Sequence, residues 1–189
     1  MPQHGDTDPR SAVDKLIASD RVPANANTDQ LTEADIWAIL EEVKDPEVPA
    51  VSVVELGIVR AVHWDGKELS VDVTPTYSGC PATELIEELI EEALRAAGFR
   101  KVRINQVLTP AWTTDWITDE GKEKLRAFGI APPQGSASKR SLLGESEVIT
   151  CPHCGSTHTE RVSEFGSTAC KALYRCKDCL EPFDYFKCI

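Results

Sequence analysis

Cys151-Pro152-His153-Cys154, answered by Cys176-Lys177-Asp178-Cys179, organises the C-terminal part of this chain. Each stretch is a C-x2-C knuckle, and twenty-one residues lie between Cys154 and Cys176, close to the spacing of a four-cysteine zinc site. A knuckle aims two thiolates at one point, so two knuckles on neighbouring strands supply the four soft ligands of a tetrahedral ion. Strands are legible around them: Glu147 to Thr150, Glu160 to Phe165, Ala172 to Arg175 and Pro182 to Phe186. These are too few to bury a core. A segment of about 40 residues needs a metal or disulfides to hold its fold, and structural zinc contributes roughly 10 to 16 kcal/mol in small peptide sites. Residues 147–189 are therefore expected to form a zinc-ribbon β domain, with structural Zn2+ on Cys151, Cys154, Cys176 and Cys179.

Other readings of the same sulfurs stay open. Cys170 and Cys188 bring the region to six cysteines, which suits a disulfide framework. Against it, Met1-Pro2-Gln3-His4-Gly5-Asp6 lacks the basic and apolar leader that would export the chain to an oxidising compartment. A [4Fe-4S] or [2Fe-2S] cluster would accept the same four thiolates. Cys170 and Cys188 are possible extra ligands, and His153 or His158 could replace a sulfur.

The chain has 189 residues, room for one ordinary domain beside the ribbon. Its net charge of -11 is unevenly spread: residues 136–189 carry seven Lys or Arg and seven Asp or Glu, so the first 135 residues hold the whole acidic excess. Such a surface repels nucleic acid and favours basic protein partners. No apolar run approaches the roughly 18 residues of a membrane span, so a soluble cytoplasmic protein is expected.

Residues 1–28 are polar, with Pro2, Pro9 and Pro23, and read as a flexible arm. Residues 29–131 read as an α+β domain. Thr32 caps a helix with Ile36, Ile39, Leu40 and Val43 on one face, and Asp45-Pro46 ends it, leaving Asp45 and Glu47 on a stiff loop. From Gly57 the period changes to two: Ile58 to Trp64, the turn Asp65-Gly66, and Leu69 to Thr74 form a hairpin. A helix from about Pro81 to Ala97 turns Leu85, Ile86, Leu89, Ile90 and Leu94 inward and a row of glutamates outward. Val102 to Leu108 is a third strand, Thr118 caps a last helix reaching Phe128, and residues 132–146 are a linker. The order implies a small mixed sheet covered by helices. Trp112 and Trp116, between the third strand and Thr118, are candidates for a partner surface.

Pro81 suits the first position of its helix, which puts Cys80 at the N-cap; a start at Thr83 is the alternative. A thiol caps poorly, but a thiolate would gain the free amides and the positive end of the helix dipole, while Glu84 and its acidic neighbours oppose ionisation. Thr74, Thr76 and Ser78 offer hydroxyls around the same mouth, and Asp45 and Glu47 either close over it or cap helix ends. Neither G-x-G-x-x-G nor a Walker loop nor H-E-x-x-H occurs, and independent catalysis is not expected.

Asp45-Pro46-Glu47, Glu55-Leu56-Gly57-Ile58-Val59, Thr74-Pro75-Thr76 and Cys80-Pro81 resemble the small domain of iron-sulfur assembly factors. The resemblance covers about residues 30–130 and implies that Cys80 is the reactive position, binding iron or a cluster transiently, with Asp45, Glu47 and Thr76 as its neighbours in the motif. Joined to a ribbon containing Phe165-Gly166-Ser167-Thr168-Ala169-Cys170-Lys171-Ala172 and Glu181-Pro182-Phe183-Asp184-Tyr185-Phe186-Lys187-Cys188, the chain as a whole is similar to the PaaD (PaaJ) family of phenylacetyl-CoA epoxidase systems. That likeness implies a non-catalytic component of aerobic phenylacetate degradation, which assists iron or iron-sulfur cluster delivery to a multicomponent oxygenase. The implied partners are epoxidase subunits, above all the iron-sulfur reductase, and the iron-sulfur assembly machinery; two Cys80 residues could also bridge a cluster across a homodimer. A direct redox subunit, carrying a cluster on the C-terminal cysteines, is the alternative.

Overall fold

A computed structural model describes residues 31–64, 68–77, 79–134 and 148–187. The expected arm, most of the expected linker, the Asp65-Gly66 turn, Ser78 and Cys188 lie outside the described residues. The chain gathers into two compact units, one ending at Ala111 and the other beginning at Trp112.

In the first unit, α1 (Glu33–Glu42) starts in a capping box. The Thr32 hydroxyl accepts the Asp35 amide at 3.3 Å, and the Asp35 carboxylate accepts the Thr32 amide at 2.8 Å. Hydrogen bonding to Thr32 holds the Asp35 carboxyl below its usual range. Ile36, Ile39 and Leu40 are buried on one face, as their spacing requires. Strands β1 (Val59–Trp64) and β2 (Leu69–Val73) pair antiparallel, and β3 (Val102–Gln106) lies parallel to β2, so the sheet is mixed. Leu69, Val71 and Val73 are buried, while Ser70 and Asp72 on the other face are half-buried. A parallel pair needs a crossover. Helix α2 (Thr83–Ala96) provides it and buries Ile86, Leu89, Ile90, Ala93 and Leu94; Glu84, Glu88 and Glu92 remain exposed.

In the second unit, a 3-10 turn (Thr114–Trp116) precedes α3 (Asp119–Ala127), whose N-cap Thr118 hydroxyl accepts the Gly121 amide at 3.0 Å. Four strands follow, β4 (Ile130–Ala131), β5 (Thr159–Ser163), β6 (Lys171–Cys176) and β7 (Pro182–Phe186), in the sheet order β4-β7-β6-β5.

Three expectations change here. The division of the chain falls after Ala111 and not near residue 131, because α3 leads into β4, and β4 pairs with β7 through Ile130 against Asp184 and Ala131 against Tyr185. β4 also takes the sheet position expected of Glu147 to Thr150: residues 148–150 lie outside any strand, with Ile149 buried and its carbonyl accepting the Thr159 hydroxyl at 2.8 Å. Trp112 is not a free surface, being 4% exposed with its ring 6.1 Å from that of Phe186.

Candidate metal centre and the Cys80 loop

The two knuckles of the second unit are built alike. In each, the amide of the first cysteine donates to a carbonyl five residues on: Cys151 to Ser156 at 2.8 Å, Cys176 to Glu181 at 3.0 Å. In each, the residue after the second cysteine has a left-handed backbone, Gly155 at φ 76° and Leu180 at φ 65°. Asp178 ties the knuckles together, accepting from the Ser156 hydroxyl with one oxygen and meeting His158 Nδ1 at 3.1 Å with the other. These two contacts hold the Asp178 carboxyl below its usual range, Ser156 contributing most.

The knuckles bring Cys151, Cys154, Cys176 and Cys179 together, with all four Sγ atoms within 4.8 Å of one another. Cys151 and Cys179 sulfurs are 3.8 Å apart, and Cys154 and Cys176 sulfurs 3.6 Å. A disulfide would need about 2.05 Å, and the six described cysteines are all free. A Zn–S bond of about 2.3 Å places the corners of a tetrahedron about 3.8 Å apart, so the sulfurs stand where a single ion would hold them.

The proton balance of these sulfurs also fits a cation. The Cys179 amide, followed by that of Asp178, draws the Cys176 thiol down to about 6. The Glu181 amide pulls Cys179 the same way, but burial and the sulfurs of Cys154, Cys176 and Cys151 push it up to about 12. Clustered sulfurs resist carrying several negative charges, and a divalent ion removes that penalty. Cys151 and Cys176 are buried, Cys179 half-buried and Cys154 exposed, so the centre lies at the edge of the unit.

The remaining candidates are not ligands of this group. Cys170 is buried, and its sulfur lies 3.0 Å from the Thr168 hydroxyl. His153 is exposed beside the Phe183 ring, and His158 is engaged with Asp178.

Cys80 belongs to the first unit and is half-buried, neither sealed in apolar packing nor fully exposed. It is not an N-cap: α2 begins at Thr83 with Ala82 in that position, and no side chain caps it. The Cys80 amide instead donates to Tyr77 and its carbonyl accepts from Thr83, each at 3.2 Å, making a tight turn before the helix. Pro81 suits that turn as well as it would suit a helix start, which is why both positions are open on sequence grounds. Gly79 enters the turn at φ 83°, a conformation costly for other residues, with open space where a side chain would stand.

Thr74 and Thr76, at the end of β2, are 2% and 8% exposed, and the Thr74 hydroxyl is buried without a hydrogen-bond partner. Asp45 is 6% exposed. One of its oxygens accepts the amides of Glu47 at 2.8 Å and Val48 at 2.7 Å, and its own amide donates to Val51. It thus shapes the loop that carries the half-buried Glu47. Glu55 and Ser52 lock the next turn reciprocally, through bonds of 2.8 and 3.0 Å. Sequence reasoning missed this pair, although its S-x-x-E spacing is the signature of such a cap.

A mixed sheet under helices, followed by a ribbon holding four convergent sulfurs, defines an iron-sulfur assembly domain joined to a zinc ribbon. Residues 33–105 match the family described as iron-sulfur cluster assembly protein, and residues 135–187 match the PaaD zinc beta ribbon domain. The chain is 52% identical over 155 residues to an Escherichia coli (strain K12) protein provisionally named as a component of 1,2-phenylacetyl-CoA epoxidase, covering 82% of this chain and 92% of the relative. The chain belongs to the PaaD family of phenylacetyl-CoA epoxidase subunits. It is also 34% identical over 97 residues to an Fe-S protein maturation auxiliary factor of Porphyromonas gingivalis (strain ATCC BAA-308 / W83), covering 50% of this chain and 90% of that one. The crystal structure of a domain of unknown function, DUF59, from Bacillus anthracis is 29% identical, with a TM-score of 0.46 over 49% of this chain and 90% of its own. Among the described residues, no helix is long and apolar enough to cross a membrane.

Proposed function

We propose that this protein is a cytoplasmic maturation factor for a phenylacetyl-CoA epoxidase, with Cys80 passing iron or an iron-sulfur cluster to a client subunit while the ribbon binds protein partners. The carrying observation is the separation of the sulfurs: four are committed to one point, and Cys80, in the domain matching iron-sulfur assembly proteins, is outside that group and half-buried on a glycine-opened turn. In this reading Cys151, Cys154, Cys176 and Cys179 would hold Zn2+. The ion supplies a closed, redox-inert cross-link between the knuckles.

Cargo transfer needs only ligand substitution: an iron–sulfur bond to Cys80 breaks as one to a client cysteine forms, with no net change in electrons. One thiol cannot satisfy iron alone, so a partner or a second protomer completes the coordination. Asp45 and Glu47 would shape and charge the loop, and Thr76 would line the segment leading to Cys80. The client best suited to this role is the iron-sulfur reductase subunit.

The alternative is a redox subunit with a cluster on the C-terminal cysteines. The 3.6 and 3.8 Å sulfur separations support a single ion over a cluster, which spreads its ligands around several irons. Cys80→Ser tests the leading reading. Zinc content and thermal midpoint should be unchanged, while the cluster content of the co-produced reductase, by visible absorption and iron assay, falls several-fold. Full client occupancy with the variant removes Cys80 from the mechanism. A brown, iron-containing protein after anaerobic purification establishes the redox reading.

A further inference from the structure

The likeness of the two knuckles exposes one difference. Both close with the same amide-to-carbonyl bond and both turn left-handed after the second cysteine, but the first has Gly155 there and the second has Leu180. Glycine takes this backbone without strain, and a Cβ at Gly155 would meet nothing within 4 Å, so the knuckle itself leaves room for a side chain. Leucine crowds the following carbonyl in this conformation. Leu180 is the one non-glycine residue in it among the described residues.

Such a residue is usually tolerated where burial offsets the strain. Leu180 is 69% exposed, more than any other large apolar residue described. A single exposed leucine is ordinary in itself; one held where glycine fits better, with little burial in return, is an outlier of the kind that marks a functional surface.

We propose that Leu180 is a docking anchor, inserting from the tip of the second knuckle into an apolar socket on another subunit of the epoxidase. The proposal rests on the preceding reading, in which this chain serves those subunits. A protein socket is the occupant because the ribbon region carries equal numbers of acidic and basic residues, seven of each, and so offers no net field for nucleic acid or an anionic surface. Around the anchor, Lys177, Asp178 and Glu181 are exposed and of both signs. Binding should therefore depend on apolar burial and respond weakly to salt.

The test uses the full zinc-loaded chain as wild type, Leu180→Gly, Leu180→Asn and Leu180→Met, titrated against each purified epoxidase subunit. Gly and Asn suit the left-handed backbone but remove the apolar group; Met keeps it. Wild type should bind one subunit, and Leu180→Met should match it within about twofold, as an isosteric apolar exchange allows. Leu180→Gly and Leu180→Asn should bind at least about tenfold more weakly, the loss of one buried apolar side chain. Both should keep full zinc and a thermal midpoint equal to or above wild type.

Wild-type affinity in Leu180→Gly overturns the anchor and leaves the maturation reading standing. Lost zinc or a lowered midpoint in both variants also overturns it, by making Leu180 structural. Loss of a dimer in light scattering assigns the anchor to a second copy of the chain and overturns the proposed occupant. Failure of wild type to bind any subunit removes the partner assignment here and in the preceding reading together.

Discussion

Stripping the metal from the ribbon should unfold the second unit and leave the first intact. The cluster around the sulfurs consists of Ala131, Ile149, Cys151, Ala172, Cys176, Phe183 and Tyr185, so two of its buried members are themselves ligands. The large side chains among the rest are Ile149, Phe183 and Tyr185. At about 1.5 to 3 kcal/mol for each fully buried side chain, they contribute roughly 5 to 9 kcal/mol. Structural zinc contributes roughly 10 to 16 kcal/mol, and a whole domain is stable by only about 5 to 15 kcal/mol. Removing the ion therefore takes away more than this cluster supplies.

The tryptophans make the outcome readable, since Trp37 and Trp64 belong to the first unit and Trp112 and Trp116 to the second. In protein labelled with fluorotryptophan, a strong chelator under reducing conditions should collapse the 19F signals of Trp112 and Trp116 to their unfolded positions. Those of Trp37 and Trp64 should stay where they were, and added Zn2+ should restore the full spectrum. A dispersed Trp112 signal in protein shown to be metal-free would refute the argument that the ion holds this unit together. Collapse of all four signals would refute the independence of the first unit.

Two substitutions test the local architecture. Asp45→Ala leaves the Glu47 and Val48 amides without their acceptor; at about 1.5 to 3 kcal/mol for a bond to a charged group, the first unit should lose about 3 kcal/mol in urea denaturation. Asp45→Asn, which keeps a neutral acceptor, should lose about half as much; an Asp45→Ala variant as stable as wild type would show that the loop is held by other bonds. Gly166→Ala would put a methyl group 2.5 Å from an Asp184 oxygen and 3.3 Å from Lys171 Cβ. Asp184 accepts from the Ser167 hydroxyl at 2.8 Å and faces the buried Lys171 ammonium at 3.9 Å, so it cannot swing aside freely. A loss of about 1 to 3 kcal/mol is expected from such overpacking, and an unchanged denaturation midpoint would mean that Asp184 has room to move.

The metal centre was legible because its signal is local. Each knuckle fixes two sulfurs within four residues, and the interval between knuckles suits adjacent strands, so pairing β5 with β6 and β6 with β7 completes the group. The alternation in β2 and the apolar stripe of α2 were readable for the same reason, since each pattern follows from one element packed on one side. Cys80 was harder to place. Its position rests on whether Pro81 opens the helix or completes a preceding turn, two conformations with the same proline angle.

By itself, then, the sequence determined the content of the two parts: a helix-covered mixed sheet bearing one separate thiol, and a ribbon whose four paired sulfurs converge. Only the tertiary structure assigned Ile130–Ala131 to the ribbon sheet, moved the division of the chain to Ala111, buried Trp112 against Phe186 and gave Leu180 a glycine-like backbone. The reason is range. Periodicity and knuckle spacing record what neighbouring residues do together, whereas a two-residue strand has no period, and what covers a tryptophan or strains a leucine depends on segments far along the chain.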